Sequence, residues 1–163
     1  GQHNPHIIPK GLLGEGNILV FDNGGSAGYG FADPAAPDGR DSVRRDFSRV
    51  LEFDPITLEI IWEYSIGGSE KFQFFSHYVS NAQRLPNGNT MVTEGSDGRI
   101  FELTEDKQIV WEYMSPFHGT EEPISRRIFR AYRLPYEWVP QLDRPQQMQV
   151  VPPDNGTFRV PPQ

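Results

Sequence analysis

Residues 80–116 read SNAQRLPNGNTMVTEGSDGRIFELTEDKQIVWEYMSP. Short runs rich in Val, Ile, Phe, Tyr and Trp fall at about 79–85, 89–94, 99–104 and 108–114. Turn signals separate them: Pro86-Asn87-Gly88-Asn89, Gly95-Ser96-Asp97-Gly98 and Glu105-Asp106-Lys107. RIFEL and QIVWEY alternate in polarity, as strands with two distinct faces do, and no segment carries a 3.6-residue apolar rhythm. The stretch therefore predicts four short strands joined by tight turns.

The same unit recurs along the chain. RVLEFDPITLEIIWEYS at 49–65 lies over RIFELTEDKQIVWEYMS at 99–115 with one residue removed, so Arg49 answers Arg99 at a spacing of 50 and Trp62 answers Trp111 at 49. AQRLP at 82–86 answers AYRLP at 131–135, again 49 apart, and Pro9 fits the same slot. Four strands per unit at this period is the pattern of a β-propeller blade. The expected fold is all-β, a propeller portion of about two and a half four-stranded blades. The first blade spans about 3–65 with an insertion at 24–45, the second about 77–116, and a third begins near 127 with one or two strands. Residues 1–139 are thus expected to carry the blades. Residues 140–163 form a Pro-rich tail in which TFRV (157–160) is a candidate ring-closing strand. Propellers close with four or more blades, and fewer leave sheet edges open. The chain is therefore expected to be a fragment, or a subunit whose missing blades a second polypeptide supplies.

Composition narrows the function. The chain has 163 residues, 15 basic against 22 acidic, for a net charge of −7. That argues against a nucleic-acid partner, which selects for a basic face. No apolar run approaches the length of a membrane-spanning helix, so no membrane partner is expected. Cysteine is absent, which excludes a disulfide scaffold, a thiolate metal site and a cysteine nucleophile. Gly (16) and Pro (15) leave little room for long helices. Gly1 is not a methionine and no signal peptide precedes it, so a mature form or a piece of a longer chain is expected.

QHN (2–4), LVFDNG (19–24), SRVLEFDP (48–55), IIWEY (60–64), SNAQRLPNGNT (80–90) and VWEY (110–113) follow one another at fixed spacing across residues 2–138. Together they resemble the C-terminal half of the bacterial aryl-sulfate sulfotransferase (arylsulfotransferase) family. The WEY elements are general propeller pieces, and QH followed by VFDNG is the more specific signal. The resemblance implies a six-bladed propeller that moves a sulfuryl group from a phenolic sulfate ester to another phenol. It implies no nucleotide donor and a periplasmic or exported location; from the residues themselves, whose metal-ligand spacing is weak, no metal or cofactor is expected. In the family the histidine of the QH element carries the group as a covalent intermediate, and His3 holds that position. Further histidines, an asparagine and an arginine come from earlier blades outside this chain, so the chain by itself is expected to be inactive.

The residues suit that chemistry. A sulfuryl group, like a phosphoryl group, is electrophilic with charge spread over its oxygens. A neutral imidazole is a good nucleophile near pH 7 and divides one hard step into two. His3 opens an innermost strand. Counting six back from Pro9, Pro86 and Pro135, its repeat counterparts are Ser80 and Phe129, so the repeat itself does not demand histidine. The plainer reading is a surface histidine near a chain end. Asn4, Asn23, His77 and Arg133 are the candidate substrate-binding residues. For Asp22-Asn23 a turn is the plainer reading and a role in orienting His3 the sharper one. His77 approaches an inner strand near the channel mouth. Arg84 and Arg133 share one repeat position, which suits pairing with a neighbouring blade or, alternatively, anion binding in the channel. Arg126, Arg127, Arg130 and Arg133 form a basic cluster in an acidic chain, read first as a solvated edge and second as an attractor of a sulfate ester.

The remaining polar signals read as structural. His6 aligns with Gln83 and Tyr132, and His118 sits in a polar loop. Trp62 and Trp111 read as blade core. His3 and His6 lie three apart and on a strand point to opposite faces, Asp97-Gly98 is a hairpin turn before it is a cation site, and Asn155-Gly156-Thr157 is a formal glycosylation sequon. The competing function is a non-catalytic binding or scaffolding propeller, since fold alone does not decide activity. The insertion at 24–45 would then serve as a partner-binding loop rather than a lid. A third reading is a proteolytic piece with no function of its own.

Overall fold

The computed structural model describes residues 1–25, 45–117, 119 and 126–143. The insertion beyond residue 25, His118, the sequon and the chain from 144 onward lie outside the described residues. The chain divides into two compact units, Gly1–Arg133 and Leu134–Gln163. Within the second, the described residues hold one short 3-10 turn, Tyr136–Trp138.

The first unit is all-β, built from two four-stranded antiparallel sheets. One contains β1 (Gln2–Ile7), β2 (Ile18–Asp22), β3 (Arg49–Phe53) and β4 (Ile60–Tyr64); the other contains β5 (Asn81–Arg84), β6 (Thr90–Glu94), β7 (Arg99–Leu103) and β8 (Ile109–Met114). Each sheet runs in sequence order, so every strand pairs with its chain neighbour. A short 3-10 segment, Gly68–Gln73, joins the two. The described residues contain no α-helix.

The repeat seen in sequence is a repeat of register. Ile18 faces Phe53 in the first sheet and Thr90 faces Leu103 in the second. Both outer hairpins carry an irregularity at the same place, between Glu52 and Phe53 and between Glu102 and Leu103. The residue missing from the second unit comes out of a turn: six residues separate Phe53 from its partner Ile60, and five separate Leu103 from Ile109. β1 differs from β5. Its pairing slips between His3 and His6, where Asn4 takes a left-handed φ of 53°, as asparagine tolerates better than most residues. That extra residue makes Asn81, which faces Thr93, the structural counterpart of His3, which faces Phe21. Counting back from the prolines had pointed to Ser80, because a count cannot register a bulge.

The core lies where the sheets meet. Phe21, Val50 and Tyr64 from the first sheet pack with Ala82, Val92, Phe101 and Leu103 from the second, around Phe74 in the connection. Phe74 meets Phe21, Tyr64 and Phe101 at centroid distances of 5.6, 5.0 and 5.7 Å in edge-on or tilted geometry, the arrangement that aromatic quadrupoles favour.

The segment expected to begin a third unit departs from expectation: the described residues 126–143 form no strand. Residues 128–133 instead dock on the second sheet. Ile128 donates its amide to Gly95 (2.9 Å), and Ser80 donates to Phe129 (3.1 Å). The side-chain amides of Asn81 and Gln83 each make a two-way bond to the backbone, at Ala131 and Arg133. Side-chain amides of the second sheet thus take the place that a strand ladder would have.

Candidate functional site

His3 sits half-buried on β1, opposite Phe21. Its Nδ1 lies 2.6 Å from Asn23 Oδ1. Asn23, just past the end of β2, is fully buried. Its amide nitrogen donates to the carbonyls of Ser76 (2.7 Å) and Val79 (3.1 Å), in the segment that leads into β5. The VFDNG run ends a strand, as its turn signal implies, and it also aims Asn23 across to the neighbouring sheet.

The receiving segment is tightly organised. Val79 and Ser80 adopt φ of 51° and 84°, left-handed conformations that a β-branched residue rarely takes. A buried serine network holds them. Ser76 donates its amide to Ser48 Oγ (2.8 Å) and its hydroxyl to the Tyr78 carbonyl (2.7 Å). Ser80 Oγ donates to Ser76 Oγ (2.9 Å) and accepts from the amide of Gly95 (2.9 Å).

Asp22 flanks the site. Burial alone would raise its carboxyl, but Arg45 at 2.8 Å and Arg49 at 2.7 Å outweigh that and hold it below the ordinary carboxylate range. Gln2 also donates to Asp22, at 3.3 Å. This ion cluster pins the ends of β2 and β3 beside His3.

Asn4 faces outward contacts instead. Its Oδ1 accepts from the Tyr132 hydroxyl (3.1 Å) and from Arg130 (3.4 Å), both exposed. His6 donates through Nδ1 to the Asn4 carbonyl (3.0 Å) and so helps hold the bulge. The structure thus brings a guanidinium and a phenol to the residue after His3. In sequence Arg130 has only a place in a basic cluster, and no local signal could pair it with Asn4, which is 126 positions away. Its sole sequence cue is its position three residues before Arg133 in the repeated RLP element.

His77 is exposed and stacks between Tyr78 (4.3 Å) and Phe75 (6.2 Å). Arg133 is engaged elsewhere, paired with Glu102 at 2.5 Å and lying over Trp111 at 5.7 Å. One repeat earlier, Arg84 makes the same contacts with Glu52 (2.5 Å) and Trp62 (5.6 Å). The shared repeat position is therefore a shared joint: an arginine from one unit closes on a glutamate and a tryptophan of the unit before it. Trp62 also donates its indole N–H to the Glu105 carbonyl (2.9 Å).

Chemically, the structure offers one imidazole with a ring nitrogen engaged by a buried amide, and a cationic and phenolic pair on the side chain of the next residue, Asn4. A protein-family model described as Arylsulfotransferase (ASST) matches residues 1–118. Comparisons with curated proteins and with solved structures gave no match.

Proposed function

The chain belongs to the arylsulfotransferase family, and from that premise we propose that it forms part of a sulfuryl-transferring propeller in which His3 carries the group. The observation that supports this most is the 2.6 Å bond between His3 and the buried Asn23, which orders the imidazole and leaves its other nitrogen for reaction. In the first step that nitrogen bonds to sulfur, the bond from sulfur to the donor phenol oxygen breaks, and the donor leaves as phenolate with the electron pair. In the second, the acceptor phenol gives its proton to water, balancing the proton that the released phenolate takes up there, and its oxygen bonds to sulfur. The sulfur–nitrogen bond then breaks and returns neutral His3. No net proton is gained or lost, and no redox partner is needed.

Arg130 and Tyr132, joined at Asn4, supply donors for the sulfuryl oxygens, where fixed donors stabilise developing charge. His77 serves at the entrance, where its exposed ring accepts an aryl face. Arg133 serves the site indirectly, by closing the joint with Glu102 and Trp111 that holds the second sheet to the segment after it. The two sheets are two of six blades, residues 140–163 are a tail, and a second polypeptide supplies the remaining blades and the rest of the site. Membership of the family supports a periplasmic or secreted location.

Incubating the native particle with an aryl sulfate is expected to add about 80 Da to the peptide carrying His3, as a covalent sulfuryl intermediate requires, and His3→Ala is expected to abolish the addition. Label on another residue, or none on the native particle, would sink the reading and leave the binding or scaffolding role.

A further inference from the structure

We infer that Asn23 is a positioning residue that holds His3 as the Nδ1–H tautomer and so selects Nε2 as the nitrogen with a free lone pair. Its catalytic meaning rests on the reading of His3 as the nucleophile; the hold on the ring does not.

The amide orientation follows from its partners. Asn23 Nδ2 points at two carbonyl oxygens, of Ser76 at 2.7 Å and of Val79 at 3.1 Å. A flipped amide would set three acceptor oxygens against one another with no hydrogen among them. Oδ1 therefore faces His3, and a carbonyl oxygen can only accept. The contact at 2.6 Å is a hydrogen bond only if Nδ1 carries the proton. A neutral imidazole protonated at Nδ1 is unprotonated at Nε2. When Nε2 gains a sulfuryl group the ring becomes cationic, and the bond from Nδ1–H to Asn23 strengthens as a charge-assisted bond does.

Asn23 is fully buried, so it acts through His3 and does not meet substrate. Its second role is to tie the two sheets together. The carbonyls that fix its orientation belong to a segment with consecutive left-handed residues, Val79 and Ser80. Such strain persists only where surroundings over-determine it, and here it turns the Val79 carbonyl toward Asn23. The tautomer of a residue on the first sheet is thereby set by the loop entering the second.

The test is a long-range proton–nitrogen correlation spectrum of the full 163-residue chain, labelled with 15N-histidine, at a pH where His3 is neutral. His3→Gln identifies the signals. The expected spectrum shows Nδ1 in the protonated range and Nε2 in the bare range, while exposed His77 serves as the reference. In Asn23→Leu the His3 tautomer ratio is expected to shift by about tenfold, the worth of one hydrogen bond, and labelling of the native particle by an aryl sulfate to slow with it. Asn23→Asp keeps an acceptor for Nδ1–H and is expected to retain the tautomer. A His3 ring protonated at Nε2 in the native chain would overturn the inference, and that measurement needs no variant to fold. A ring held as Nδ1–H in a native particle whose His3 is never sulfurylated would support the hold by Asn23 and overturn the nucleophile assignment instead.

Discussion

Glu52 shows what one residue contributes to the joint between sheets. Its side chain is buried, its two oxygens meeting Arg84 at 2.5 Å and Asn17 at 2.7 Å. Glu102 repeats the pattern with Arg133, Asn87 and Asn89. Arg84 is itself buried, which lowers its pKa from the usual arginine value, while Glu52 and Glu105 favour the charged form. Removing one member of a buried pair leaves the other charge uncompensated, which costs more than the pair itself contributes. Arg84→Ala is therefore expected to lower unfolding stability by about 3–5 kcal/mol. A neutral pair in its place, Glu52→Gln with Arg84→Met, is expected to recover most of the loss. Denaturant titration of the three proteins checks this; equal midpoints for Arg84→Ala and the native chain would show the joint to be dispensable.

At the scale of the element, the turn between β6 and β7 carries more than a change of direction. Gly95-Ser96-Asp97-Gly98 reads as a hairpin turn, and Gly98 does take a left-handed φ of 71°. Both glycines also make room for the docking segment. A Cβ at Gly95 would collide with the carbonyl of Ile128 and lie 2.6 Å from Val79 Cγ2, and one at Gly98 would collide with the carbonyl of Arg126. The turn signal alone explains Gly98. Gly95 has no positive φ; the close approach of Ile128 on one side and of Val79 and Ser80 on the other explains it. Gly95→Ala is expected to cost about 1–3 kcal/mol, as overpacking does. It is also expected to raise amide exchange at Ile128, whose N–H bonds to the Gly95 carbonyl. Unchanged protection at Ile128 would show that the segment docks without that close approach.

The molecule as a whole draws its acid sensitivity from carboxylates that tie its strands together. Burial raises the Asp22 and Glu102 carboxyls, but their hydrogen bonds and arginine partners outweigh it and hold both below the usual carboxylate range. Their stabilisation is thus complete above the unfolded values of about 4 and is lost as pH falls through the lowered folded values. Glu94 runs the other way, because burial raises it despite the Phe75 amide and Arg99. Its contribution is present below the unfolded value and lost as pH rises through the raised one. Melting temperature is therefore expected to fall steeply below about pH 4, with a shallower slope in Asp22→Asn; parallel curves for the two proteins would remove Asp22 from the account. The strands, their order and the 49–50-residue repeat were all legible in the sequence, because alternation, turn residues and periodicity are local signals. His3 was legible only as a motif position, since nothing local distinguishes a held imidazole from a surface one. Its contact with Asn23, the carbonyls that orient that amide and the meeting of Arg130 with Asn4 join residues 20 to 126 positions apart. The extra residue at Asn4 shifted the repeat by one, and the segment after residue 126 found side-chain amides to dock on instead of a strand partner. The sequence by itself determined which segments become strands; the packing of one sheet against the next decided which polar groups meet, because a hydrogen bond depends on where its two atoms lie in space.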